Sequence, residues 1–224
     1  VIAVAGGKGG SGKTTTTLGL ARALSRRGAP VVAADADWDL PNLARLASAT
    51  DGDREPAADA PTVVDAIRTE GQIRPDRRAP TVLSAPDEPA DVDARRILGA
   101  LAESVPDDSP TLLDCPAGAS PDAAAPLRVA DRCLLATPLR RAALRDAAKT
   151  AALARRLDCL PVGVVAVRAE SVPTGVGDLL GCPVLGRIPP AEAEPLASSA
   201  VRSAYDDLAR RLVDEHGADR WRVA

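Results

Sequence analysis

Between Gly6 and Lys13 the chain sets five glycines and two lysines within eight residues, and four threonines, Thr14 to Thr17, follow at once. Glycines let successive backbone N–H groups turn toward one point, where an anion is held. A lysine at the mouth of a helix adds an ammonium to the N–H groups and dipole of the helix terminus. A threonine hydroxyl beside it is a ligand for a hard divalent cation. The stretch Gly7–Thr14, GKGGSGKT, fits the template GxxxxGK[ST] at every fixed position. The chemistry this predicts is polyphosphate binding. Gly7, Gly9, Gly10, Ser11, Gly12 and Thr15 form the cradle, Lys13 reaches the β- and γ-phosphates, and Thr14 meets Mg²⁺. An ordinary glycine-rich turn would need no lysine at the helix mouth.

Such a loop must leave a strand and open a helix, and the flanking patterns supply both. Residues 1–5 are a short apolar run ending at glycine, hence a buried strand. Residues 14–27 carry Leu18, Ala21 and Leu24 at helical spacing, and Gly28 closes that helix. Further strands are predicted at 30–35, 81–85, 111–114, 132–137 and 161–167, with helices at about 91–104, 140–157 and 200–215. Continuous apolar strands alternating with helices predict an α/β fold, with a mostly parallel sheet covered by helices on both faces. The polar, small-residue stretch 49–61 is expected to be a flexible loop, and the chain to end in a short tail. With 224 residues and no evident linker, one domain spanning 1–224 is expected.

Composition narrows the function classes. A formal net charge of −3 gives no general nucleic-acid footprint. Arginine supplies nearly all the positive charge; the three lysines are Lys8, Lys13 and Lys149, and two of them sit in the glycine-rich stretch. Cys115, Cys133, Cys159 and Cys182 form no CxxC pair, and His216 is the sole histidine. A zinc site or a cluster within one chain is therefore poorly supported, and the thiols are expected to be reduced core residues. No apolar run reaches membrane-spanning length and no signal peptide is seen, so the expected location is cytoplasmic.

Around these residues the chain resembles the ParA/MinD-type ATPases, P-loop NTPases with a deviant Walker A motif, and is closer to the MinD-like branch. KGGSGKTT, from Lys8 to Thr15, is similar to that family's KGGxGKT. The resemblance implies ATP and Mg²⁺ as cofactors and a catalytic pair of lysines. Lys13 would act within its own chain. Lys8 would reach the nucleotide of a partner subunit. DADWDLPNLA, from Asp35 to Ala44, resembles switch I: Asp37 would position the attacking water and Asp35 would lie near the metal. LDCPAG, from Leu113 to Gly118, resembles switch II, with Asp114 a Walker B-like carboxylate on the metal. Gly118 would free its amide to sense the γ-phosphate. Asp39 departs from the small residue frequent in relatives. Arg140 and Arg141 stand where relatives usually carry an acidic residue.

The resemblance weakens late in the chain. Val167 occupies the place of an asparagine that reads the adenine edge, beside a matching Arg168, and valine makes no side-chain hydrogen bond. Either backbone groups around Ile188–Pro190, in the GRIPP stretch ending at Pro190, take over base selection, or selection is poor.

What the resemblance implies is a slow, partner-stimulated ATPase that dimerises with ATP and times a positioning or partition-type interaction. A non-hydrolysing nucleotide-binding regulator of the same fold is the alternative. The cargo or regulatory partner is left unidentified. Arg140, Arg141, Arg145, Arg155 and Arg156 read as the wet face of an amphipathic helix in preference to a non-specific DNA surface. The acid-rich C-terminal segment makes a stable membrane anchor unfavourable. The expected location is the cytoplasm, with association at the membrane or nucleoid in the ATP-bound state left open.

Overall fold

The computed structural model describes residues 1–50, 60–68, 73–89, 92–118, 120–192 and 194–216. Most of the expected loop 49–61 lies outside these residues, as does the C-terminal tail. At the near end of that stretch Ala49 and Thr50 are helical, closing the helix Leu43–Thr50.

Seven strands form one parallel sheet: β1 (Ile2–Ala5), β2 (Val32–Asp35), β3 (Thr81–Leu83), β4 (Thr111–Asp114), β5 (Arg132–Thr137), β6 (Leu160–Val167) and β7 (Val184–Ile188). Their order across the sheet is β3-β2-β4-β1-β5-β6-β7. Eight helices cover it among the described residues: α1 (Lys13–Arg26), α2 (Leu43–Thr50), α3 (Val63–Arg68), α4 (Ala94–Ser104), α5 (Pro121–Val129), α6 (Arg141–Arg156), α7 (Val176–Leu180) and α8 (Ser199–His216).

The inner strands β1, β2, β4, β5 and β6 are buried on both faces along nearly their whole length, which is why they read as continuous apolar runs. Along β1, Ile2 and Val4 face a core built with Leu18, Leu20 and Leu24 of α1 and Val201, Tyr205, Leu208 and Leu212 of α8. Ala3 and Ala5 point the other way, toward Ala147, Ala151 and Ala154 of α6. A third cluster joins Val32, Ala34 and Leu113 to Leu98 and Leu101 of α4. All four cysteines are free and buried, in keeping with the core role expected of them.

α1 ends where Gly28 takes φ +86 and donates its amide to Ser25. The shorter α2, α3, α5 and α7, and the edge strand β7, extend the sequence-based assignment. α5 contains Pro126, and its start is fixed by Ser120, whose hydroxyl accepts from Ala123 N. Within the GRIPP stretch, Gly186, Arg187 and Ile188 are strand residues of β7 paired to β6, and Pro189 and Pro190 follow as loop.

Because every strand runs the same way, their C-terminal ends share one rim. β1 lies between β4 and β5, so the glycine-rich loop leaves the rim at the centre of the sheet. Open α/β sheets bind their ligands in this crevice.

Candidate functional site

The loop from Gly6 to Gly12 is shaped by close approaches that only glycine allows. A Cβ on Gly7 would lie 2.3 Å from backbone and side-chain carbons of Asp146 on α6. Gly10 and Gly12 take φ +73 and +87, conformations L side chains rarely adopt. At Gly9 and Gly10 nothing lies within 4 Å of where a Cβ would be, so the loop has an open side. Ser11 turns its hydroxyl inward, where Oγ is buried without a hydrogen-bond partner. An orphaned buried hydroxyl in an open glycine cradle fits a phosphate oxygen.

The two lysines of the loop are placed differently. Lys13 opens α1 and is 7% exposed, its stem passing Gly6. Lys8 is exposed on the outer turn, where the amide of Ser11 donates to the Lys8 carbonyl over 3.3 Å. Thr15 is half-buried on the first turn of α1.

Three carboxylates converge beside Lys13. Asp35 and Asp114 are register partners at the ends of β2 and β4. Burial, reinforced by the nearby Asp35 charge, pushes the Asp114 carboxyl up to about 7, against the hydroxyl of Thr14 and the charge of Lys13. Thr17 also donates to Asp114 Oδ1, over 3.4 Å. Thr14 and Asp114 thus form a hydroxyl–carboxylate pair at the loop mouth, a donor set suited to Mg²⁺.

Asp35 has a further task that the sequence did not disclose. Its Oδ1 accepts from Asp37 N over 3.0 Å, and its Oδ2 accepts from Asn42 N and Leu43 N, each over 2.9 Å. One carboxylate therefore folds the 36–42 loop back and satisfies amides at the start of α2. Trp38 braces the same loop by donating from its indole to the Asp35 carbonyl. Burial raises the Asp35 carboxyl, with the three amides opposing it. Asp37 is half-buried at the loop's entry and accepts from Leu40 N. Burial also raises its carboxyl, Lys13 pulls it down, and exposed Asp39 pushes it slightly up.

Gly118 sits against the glycine-rich loop with φ +87. Its amide donates to the Gly6 carbonyl over 3.2 Å, and its carbonyl accepts from Thr150 of α6 over 3.4 Å. The amide expected to sense a phosphate is thus committed to the loop in this conformation. Cys115 is buried, and burial beside Asp114 raises its thiol well above the usual range, so it is not a reactive site.

At the far side of the loop, Val167 ends β6. It is 4% exposed, and its Cγ1 lies 2.7 Å from where a Cβ on Gly12 would be. The valine supports the loop by packing. Pro190 is exposed just past β7, whose Ile188 pairs with Val167, so it shares the same rim. Arg140, just before α6, and Arg141 and Arg145 on it are exposed, and Ala143, Ala147, Ala151 and Ala154 form the helix's buried face. Arg155, also exposed, donates from one guanidinium nitrogen to the carbonyls of Leu180 and Gly181 over 2.7 and 3.0 Å, so it ties α6 to the end of α7.

Together the doubly wound sheet, the loop at its central strand and the carboxylates on its rim define a P-loop nucleotide-binding domain. Residues 2–199 match the model of the CobQ/CobB/MinD/ParA nucleotide binding domain, and the chain belongs to that family, on its MinD-like side. Among curated proteins it is 29% identical over 237 residues to the septum site-determining protein MinD of Synechocystis, covering 95% of this chain and 88% of that protein. Among solved structures it resembles the MinD of Pyrococcus horikoshii, solved with Mg-ADP, at 23% identity and TM-score 0.75, with 97% of each chain covered. The cell division ATPase MinD of Pyrococcus furiosus is similar at 25% identity and TM-score 0.75, covering 96% of this chain and 98% of that one. The family supports nucleotide and Mg²⁺ binding and ATP hydrolysis in general. Among the described residues no helix is long and apolar enough to cross a membrane.

Proposed function

We propose that this protein is a Mg-ATP-dependent switch ATPase whose ATP-bound form pairs two copies of the chain, and whose slow hydrolysis limits the lifetime of that pair. The observation that carries this reading is the divergent placement of two lysines in one loop: Lys13 is buried at the helix mouth and Lys8 is exposed on the outer turn. A lysine needed only for its own nucleotide has no reason to stand outside the cradle.

The roles follow from position. The amides of residues 7–15 and the Ser11 hydroxyl hold phosphate oxygens, and Lys13 neutralises charge at the β- and γ-phosphates. Thr14 and Asp114 would hold Mg²⁺, with Asp35 close to it while organising the 36–42 loop. Bound there, Mg²⁺ supplies charge neutralisation across the phosphate oxygens. Asp37 orients a water at the loop's entry. Gly118 releases Gly6 to bring its amide to the γ-phosphate. Lys8 of one chain adds a second ammonium at the partner's site, which makes hydrolysis conditional on pairing. Pro190 and its neighbours border the base.

The test is molar mass by light scattering with Mg-ATP, Mg-ADP and no nucleotide, for the parent and Asp37→Ala. The expected result is a dimer with ATP alone, longer-lived in the variant. Monomers throughout, with nucleotide still bound, would overturn the switch reading. The buried, apolar Val167 favours one second reading, a nucleotide-binding regulator that does not hydrolyse. It predicts ATP binding with no phosphate release, even in mixtures where dimers form.

A further inference from the structure

The end of β6 touches the glycine-rich loop at two points. Val167 fills the space beside Gly12, and the next residue, Arg168, donates from its guanidinium to the Gly10 carbonyl over 2.6 Å. Arg168 takes φ +53, one of two described non-glycine residues with positive φ. A left-handed arginine is an unfavourable backbone choice, sustained here where the chain turns to aim the side chain at the loop. The turn itself is fixed on its far side, because Ala169 N donates to Ile188 O over 3.0 Å. Among the described residues no carboxylate pairs with Arg168, and its guanidinium is hydrogen-bonded to a loop carbonyl.

We propose that Arg168 is a positioning residue of the phosphate-binding loop. It holds the Gly10 carbonyl outward and thereby preorganises the segment from Lys8 to Gly12. The inference rests on the nucleotide-binding reading of that loop. In a phosphate cradle the N–H groups must point inward, so the carbonyls must point out and need partners of their own. Gly10 has no side chain and a positive φ, so its peptide has little of its own to fix its direction. A charge-assisted bond from a rigid fork supplies that direction. Val167 performs the matching task at Gly12 by contact alone. β6 thus supports from outside a loop that β1 and α1 hold only by its ends.

The experiment compares the parent with Arg168→Asn and Arg168→Lys. Asparagine tolerates the left-handed backbone but is too short to reach Gly10, whereas lysine keeps charge and a donor. Binding of Mg-ADP and of Mg-pyrophosphate is measured by calorimetry, together with melting temperature. Mg-ADP binding by the parent tests the nucleotide-binding reading first, separately from any variant. The expected result is that R168N weakens both ligands alike, by about three- to tenfold, that R168K recovers much of the loss, and that melting temperatures stay within about 2 °C of the parent. Unchanged affinities would overturn the proposal. So would a loss confined to Mg-ADP, which would place the guanidinium on the nucleoside, or a loss matched by a large fall in melting temperature, which would make Arg168 merely structural.

Discussion

The amide of Gly118 donates to the carbonyl of Gly6 over 3.2 Å, joining the segment after β4 to the loop after β1. Both residues sit on the rim that carries the glycine-rich loop, and neither has a side chain to enforce the contact. The bond is therefore easily exchanged for another acceptor. An incoming γ-phosphate oxygen is a stronger acceptor than a peptide carbonyl, since it is charged. Gly118 is held on its other side by Thr150, whose one hydroxyl proton is shared between the Gly118 carbonyl at 3.4 Å and the Asp146 carbonyl of the same helix at 3.1 Å. α6 is thus fastened to both segments, through Asp146 against Gly7 and through Thr150 at Gly118.

Removing that fastening should favour the state in which Gly118 has moved. Thr150→Val keeps the shape of a buried side chain and deletes the donor. A non-hydrolysable ATP analogue is expected to bind about two- to fivefold more tightly, as one hydrogen bond worth about 0.5–1 kcal/mol is lost from the resting state only. ADP affinity is expected to hold. Equal gains for both nucleotides, read by titration, would show that Thr150 acts on the whole loop and not on Gly118.

Two glycines of the loop separate structure from chemistry. At Gly7 an added Cβ meets backbone atoms of Asp146 and Ala147 within 2.5 Å, so α6 itself would have to move. Gly7→Ala is expected to lower stability by about 1–3 kcal/mol and to abolish nucleotide binding. At Gly9 nothing stands within 4 Å. Gly9→Ala should therefore melt with the parent and lose nucleotide affinity alone. Parallel thermal melts and titrations of the two variants check this; destabilisation of the Gly9 variant would mean the cradle is not open there.

The loop and the long elements were legible in the sequence for physical reasons, whereas the roles of the carboxylates came from the resemblance. GKGGSGKT carries its own geometry, and strands buried on two faces leave unbroken apolar runs such as TLLD and RCLLAT. α6 was readable from alanines at helical spacing. The short helices left weaker patterns: α7 has five residues, and α5 contains a proline at Pro126. β7 was hidden because Gly186 and the exposed Arg187 interrupt its apolar pattern. The work of Asp35 was hidden for another reason. Its three hydrogen bonds go to backbone amides, and backbone partners leave no trace in residue identity. The same holds for Arg168 and the Gly10 carbonyl.

Contact between α1 and α8 is set by one glycine. A Cβ on Gly19 would fall 2.4 Å from the ring of Tyr205, which is 1% exposed and cannot step aside. Gly19→Ala is expected to cost about 1–3 kcal/mol, lowering the melting temperature by about 2–4 °C for each kcal/mol. A melt equal to the parent's would show that α8 shifts freely over α1.

Tyr205 also gives the fold an alkaline limit. Its hydroxyl lies 3.4 Å from Thr16 Oγ1, and burial pushes the phenol up to about 12 from an ordinary 10.0. Between those values the unfolded chain ionises this group while the folded chain keeps its proton. Native protein then binds more protons, so stability falls as pH rises above about 10, by up to about 3 kcal/mol near pH 12. Tyr205→Phe keeps the packing, loses the bond to Thr16, and has no proton to release. It should be less stable than the parent at pH 7, by at most about 1 kcal/mol, and the gap should close and reverse as pH passes about 11. Denaturant melts of both proteins at pH 7, 10 and 11.5 measure the gap directly. Parallel pH dependence in the two would mean that the buried phenol ionises without cost and that α8 admits water at Tyr205.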